Sequence, residues 1–183
     1  MKLYRGRLRS PLGELWIVSD DQECVRALEF ADRRARLVRL LEEHYGTYEL
    51  IETAVPHGIA TALQRYFDGE LTALNHIATA TGGSELQRRV WKALRTVPVG
   101  KTTTYGDIAR GLGLHDPRAA IDIGAANGSN PVAIIVPCHR VIAKNGDLKG
   151  YAGGPHRKRW LLEHEGALPR RIEAPHALRL PGL

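Results

Sequence analysis

Asn130-Pro131-Val132-Ala133-Ile134-Ile135-Val136-Pro137-Cys138-His139-Arg140-Val141-Ile142 is the stretch on which the reading of this chain turns. The apolar run Val132 to Val136 reads as a strand, and at its end a thiol stands beside an imidazole. A thiolate is a far better nucleophile than a thiol, and a neighbouring His or Arg lowers the pKa that governs how much thiolate exists. The dipeptide alone proves little, because adjacent residues on a strand point to opposite faces. A buried cysteine that precedes an exposed histidine would look the same, so the surroundings decide.

Working outward, Ser84 with Gln87 three residues later forms a capping-box pattern, and Leu86, Val90, Trp91 and Leu94 follow as the buried stripe of a helix. After the Pro98 to Gly100 turn, Tyr105 to Leu112 reads as a helix, Gly113 to Asp116 as a turn and Pro117 to Asn127 as a second helix with Pro at its first position. That is the outline of a helix-turn-helix. Asn145-Gly146, between Val141-Ile142 and Leu148-Lys149, signals a hairpin. Upstream, Leu3 to Arg9, Leu15 to Ser19 and Val25 to Phe30 predict an antiparallel meander, and Arg33 to Tyr45 and Ile59 to Phe67 predict helices. Thr79 to Gly83 is small and reads as a flexible linker. The expected fold is α+β in two small domains. Residues 1–80 form an N-terminal scaffold of antiparallel sheet and helices. Residues 84–170 form a mainly helical domain with the helix-turn-helix and a short strand or hairpin around the cysteine, and 171–183 form an irregular tail.

No apolar run approaches the roughly 20 residues a membrane span needs, and the N-terminus lacks a secretion signal, so a cytoplasmic protein without membrane association is expected. Cys24 and Cys138 are the only cysteines, too few for a disulfide framework or a cysteine-rich zinc site. Neither metal nor cofactor is expected. The formal charge of +6 is uneven: residues 1–83 carry 10 Lys/Arg against 12 Asp/Glu, whereas 84–183 carry 16 against 8. Concentrated basic charge suits a polyanion partner, although a solvated basic face would look alike.

Taken with Gln87-Arg88-Arg89-Val90-Trp91, Val97-Pro98-Val99-Gly100, Thr104-Tyr105-Gly106, Gly150-Tyr151-Ala152-Gly153-Gly154 and Arg157 to Gly166, the opening stretch closely resembles the O6-alkylguanine-DNA alkyltransferase family, of the bacterial type. The resemblance is dense over about residues 84–166 and weaker before them. It implies single-turnover transfer of an alkyl group from O6-alkylguanine, and in some members O4-alkylthymine, in double-stranded DNA to Cys138 after the damaged base is flipped from the stack. By the same carry-over His139 accepts the Cys138 proton through a water, Glu165 orients His139, Asn130 fixes the turn around the site and Tyr105 donates a proton to the leaving base. Tyr151 would line the alkyl pocket, and backbone groups at Cys138, Val141 and Ala152 would bind the guanine. Arg118, Ala119, Ala120, Ile121 and Asn127 would face DNA from the second helix, whose small residues suit a minor groove only about 6 Å wide. A free monomer is implied, with cooperative assembly on DNA left open.

At the second helix the chain departs from the family. Ile121 stands where many relatives carry an arginine that fills the gap left by the flipped base, so either Ile121 as an apolar wedge or Arg118 takes that place, and Ile121 is favoured. Three competitors are weighed. A helix-turn-helix regulator leaves Cys138, His139, Tyr105 and Glu165 without work, a dead lesion binder would lack Cys138, and a cysteine hydrolase needs an oxyanion site that the sequence does not announce.

Overall fold

Strand β2 (Gly13–Ser19) is buried from Leu15 onward, which requires cover on both faces of its sheet. The computed structural model, which describes residues 1–148 and 150–170, supplies it. β1 (Lys2–Ser10), β2 and β3 (Val25–Phe30) form the expected antiparallel meander. One face carries Leu3, Trp16, Val18 and Ala27 against Leu37 and Leu41 of α1 (Arg34–Tyr45). Leu15, Ile17, Leu28 and Phe30 point the other way, into a larger cluster with Ile59, Leu63 and Tyr66 of α2 (His57–Phe67). A fourth strand, β4 (Glu49–Glu52), pairs in parallel with the edge of β1, giving the order β3-β2-β1-β4. The sheet is therefore mixed rather than purely antiparallel. Its Glu-Leu-Ile-Glu segment is too short for alternation to reveal it.

The C-terminal half is mainly helical: α3 (Glu85–Leu94), α4 (Tyr105–Gly111), α5 (Ala119–Gly128) and α6 (Pro155–His164), with β5 (Thr103–Thr104) and β6 (Val141–Ile142) as a two-residue parallel pair. Ser84 and Gln87 close the capping box at the start of α3 as the sequence predicts. Trp91 Nε1 donates to Ala126 O at 2.8 Å and locks α3 against α5. Pro117 lies before α5 rather than at its first position, because Asp116 turns the chain there: its carboxylate accepts from Arg118 N at 2.7 Å and its carbonyl from Ala119 N at 2.9 Å. Asn145-Gly146 makes the expected turn, with Gly146 at φ 82 and Ala143 N on Asp147 O at 3.1 Å across it, but among the described residues no strand follows, and β6 pairs with β5.

Thr79 to Gly83 is tied down rather than flexible. Val25 N donates to Ala78 O at 2.9 Å, Ala80 N to Val25 O at 3.1 Å and Gly82 N to Tyr45 Oη at 3.3 Å. Small residues are needed there for close approach: a Cβ on Gly82 would stand 2.6 Å from His44 Cβ. The larger apolar cluster crosses this join, bringing Leu28 and Phe30 together with Val90, Val132, Cys138 and Tyr151. Among the described residues no helix is long and apolar enough to cross a membrane. Residues 171–183, expected as a tail, and Lys149 lie outside the described residues.

Candidate active site

The apolar run before Cys138 is not a strand. Val132 forms a single bridge to Leu28, with Leu28 N on Pro131 O at 2.9 Å and Ala133 N on Leu28 O at 3.0 Å. Two tight turns then follow. Ile135 N donates to Ala133 O at 2.8 Å around Ile134, a β-branched residue at φ 69. Cys138 N donates to Val136 O at 2.8 Å around Pro137, whose φ of −81 and ψ of 61 make an inverse γ-turn. A β-branched residue at positive φ is held only where its surroundings over-determine it, at a cost on the order of 1–3 kcal/mol. Asn130 supplies much of that restraint: its Nδ2 donates to Val136 O at 2.9 Å and its Oδ1 accepts from Val132 N at 3.0 Å. The run is apolar because it is buried, and its backbone groups are satisfied by turns and an amide side chain instead of a ladder.

Cys138, His139 and Arg140 form one turn of 3-10 helix, so the thiol and imidazole are not on opposite strand faces as a strand would place them. All three are buried, as is Glu165 at the C-cap of α6. His139 Nε2 lies 2.9 Å from Glu165 Oε1, and Arg140 grips the same carboxylate with two bonds, Nε to Oε2 at 2.8 Å and Nη2 to Oε1 at 2.9 Å. Tyr66 Oη, from α2, donates to Oε1 at 2.8 Å. Burial opposes ionisation of Glu165, but His139 and Arg140 outweigh it and hold the carboxyl far below the usual range. For His139, burial wins over the neighbouring carboxylate and keeps the imidazole below its ordinary value, hence neutral at pH 7. A carboxylate can only accept, so Nε2 bears the proton and Nδ1 the free lone pair. Nδ1 is buried and finds no hydrogen-bond partner among the described residues. Burial also raises the Cys138 pKa, with Asn130, Arg36 and Lys158 opposing it, so the resting group is a thiol.

Tyr105, half-buried at the start of α4, has its pKa raised by burial and by Cys138 and stays a phenol at neutral pH. Tyr151 packs its ring edge-on to His139 at 6.4 Å between centroids, and its buried Oη has no partner among the described residues. Cys138 O accepts from Val141 N, and Val141 O from Lys158 Nζ at 2.6 Å. Ala152 is partly exposed beside Tyr151.

On α5 the picture is mixed. Arg118, Ala120 and Ile121 are exposed, Ile121 at 71 %, which is exceptional for a large apolar side chain here. Ala119 and Asn127 are buried, so these two expected DNA-facing residues instead pack inward, on the face that α5 presents to the core. Three contributors were not singled out from the sequence: Tyr66, Lys158 and Arg36. Arg36 pairs with buried Glu29 and also donates to the carbonyls of Gly128 and Asn130, the latter at 3.0 Å, which braces the site from the sheet side. The one available signal was Tyr66 itself, since a tyrosine at a buried helical position needs a partner for its hydroxyl.

Two family profiles match: "6-O-methylguanine DNA methyltransferase, DNA binding domain" over residues 85–167 and "6-O-methylguanine DNA methyltransferase, ribonuclease-like domain" over residues 3–81. A Shigella flexneri protein named "Methylated-DNA--protein-cysteine methyltransferase" is 48% identical over 170 residues, covering 92% of this chain and 98% of its own. A Mycobacterium tuberculosis protein of the same name is 48% identical over 131 residues, covering 70% and 78%. Among solved structures, Mycobacterium tuberculosis OGT in complex with DNA matches with a TM-score of 0.75 and 38% identity, covering 91% of this chain and 94% of that one. With both halves matched by profile and near full-length relatives at this identity, the chain belongs to the 6-O-methylguanine DNA methyltransferase family.

Proposed function

We propose that this protein repairs DNA by direct reversal, moving an alkyl group, methyl first among them, from O6 of guanine to Cys138 once per molecule. The observation that carries the reading is the buried network in which a neutral His139, next in sequence to a protonated Cys138 thiol and tied through Nε2 to the Glu165 carboxylate, leaves its buried Nδ1 without a partner among the described residues. The Cys138 proton passes through a water to Nδ1, the imidazolium gains the ionised Glu165 as counter-charge, and the sulfur attacks the alkyl carbon. As the S–C bond forms the C–O6 bond breaks, and its electron pair leaves with the guanine, to which the phenol of Tyr105 donates a proton. The result is a thioether, and among the described residues no second nucleophile is placed to cleave it, so one turnover follows.

The partner is DNA, and double-stranded DNA carrying alkylated bases is its substrate, with O4-alkylthymine a second one. An alkyl carbon within the stack is beyond the reach of a buried thiol, so the nucleotide is flipped first, at a cost of a few kcal/mol that a badly paired lesion reduces. The exposed face of α5 enters the minor groove, with Ile121 as the wedge that fills the gap and Arg118 near the backbone. The free protein acts as a monomer, in the reducing cytoplasm that a reactive thiol requires. Intact-protein mass after incubation with a duplex containing one O6-methylguanine is the test. The expected result is one methyl adduct per chain, on Cys138. Continued turnover would point to a hydrolase, and no adduct from folded, reduced protein would overturn the reading.

A further inference from the structure

Residues 1–80 take no part in the bond-making above, yet besides Tyr66 and Arg36 a further side chain ties them to the pocket. Arg157, in the first turns of α6, is buried. Its Nε donates to Leu12 O, in the β1–β2 turn, at 3.1 Å. Its Nη1 donates to Gly153 O at 3.1 Å and pairs with Asp32, just past β3, at 3.0 Å. The guanidinium also lies over the ring of Phe30, 4.1 Å from its centroid. Gly153 is clasped in turn, because a Cβ there would stand 2.5 Å from Phe30 Cε2 and 2.6 Å from Tyr151 Cε1. A planar fork with five donors can hold the hairpin turn, the end of β3 and the pocket loop together, which an ammonium on a flexible stem cannot.

What the clasp holds matters for the chemistry. Tyr151 Oη has no hydrogen-bond partner among the described residues, so packing and the loop backbone alone set where its ring stands against His139. We infer that Arg157 is a positioning residue for alkyl transfer: through Gly153 it fixes Tyr151 and Ala152 at the reacting centre, and the N-terminal sheet is its anchor. The inference rests on Cys138 being the alkyl acceptor. A misplacement of about 1 Å at a reacting centre costs on the order of 100-fold in rate.

Single-turnover quench kinetics on a methylated duplex, with protein in excess and saturating, separate two quantities: the amplitude counts folded, competent molecules, and the rate constant reports positioning. Arg157→Gln is expected to lower the rate constant by about 10- to 100-fold with duplex affinity unchanged. Arg157→Lys keeps the charge without the fork and recovers only part of that loss. Asp32→Asn, at a side chain 57% exposed, leaves the core untouched and lowers the rate constant several-fold; with Arg157→Lys it carries the test should Arg157→Gln fold poorly. A lower amplitude at the parent's rate constant, or an effect lying wholly in duplex affinity, would overturn the inference by making Arg157 merely structural or DNA-binding. Unchanged kinetics in all three variants beside an active parent would overturn it too, whereas a parent that transfers nothing would overturn the proposed function beneath it.

Discussion

Glu165 receives four hydrogen bonds from three side chains, and the site's chemistry follows from that concentration of donors on one carboxylate. Removing it leaves Arg140 as a buried cation without its partner, which typically costs 3–5 kcal/mol. Glu165→Gln is therefore expected to lower the urea midpoint and, by unsettling His139, to slow transfer by about 10²-fold or more; a variant with the parent's rate would remove Glu165 from the mechanism. Cys138→Ala should abolish transfer while leaving duplex affinity, measured by fluorescence anisotropy, near the parent value. The pH profile tests the charge states. His139 must be neutral to accept a proton, and its folded pKa lies below the ordinary 6.5, so the transfer rate should fall with acid only below that value. An acid limb centred at or above 6.5 would mean that His139 is not the base. Stability should follow the same sign. The folded pKa values of His139 and Glu165 lie below their unfolded ones, 6.5 and 4.5, so the unfolded chain binds protons first. Their contribution is complete above 6.5 and is lost as pH falls, which urea unfolding between pH 7.5 and 4 would reveal.

Helix α5 sorts its residues by face, and the sorting decides which substitutions touch DNA. Ile121 is solvent-exposed and supports no core, so Ile121→Ala is expected to change stability by no more than about 0.5 kcal/mol while weakening capture of the lesion. Ile121→Arg, which adds a cation near phosphate, should tighten duplex binding and steepen its salt dependence. Anisotropy titrations at several salt concentrations measure both, and parent-like binding by Ile121→Ala would dismiss the wedge. Asn127→Ala should act through packing, since Asn127 lies inside and its Oδ1 has no partner among the described residues. The element before the nucleophile teaches a related point. Val132 to Val136 carries the composition of a strand, but Asn130 and two tight turns consume the backbone groups that a strand would have paired. Periodicity reports burial, and burial alone does not distinguish a ladder from a stapled turn.

Across the whole molecule, the sheet's inner face and the active-site loop belong to one apolar cluster, and Arg36 and Arg157 cross between the halves on two sides of the site. We expect residues 1–80 and 84–170 to be joined in stability, so that urea unfolding followed by tryptophan fluorescence and by far-UV circular dichroism gives coincident transitions. Two separated transitions would mean that the shared core does not couple them. The sequence by itself determined the meander, the helices and the capping box, because those features are written in local periodicity or in short ordered motifs, and its resemblance to the family singled out Cys138, His139, Glu165 and Tyr105 as the candidate site. Only the tertiary structure decided that Tyr66, Arg36, Lys158 and Arg157 bond to residues of the candidate site or the elements that hold it, that Ala119 and Asn127 turn inward, and that the small Thr79 to Gly83 segment is pinned. The physical reason is the same in each case: a side chain's partner across the core can lie some 100 residues away, as Tyr66 lies from Glu165, and no local pattern encodes which distant acceptor a buried donor will meet.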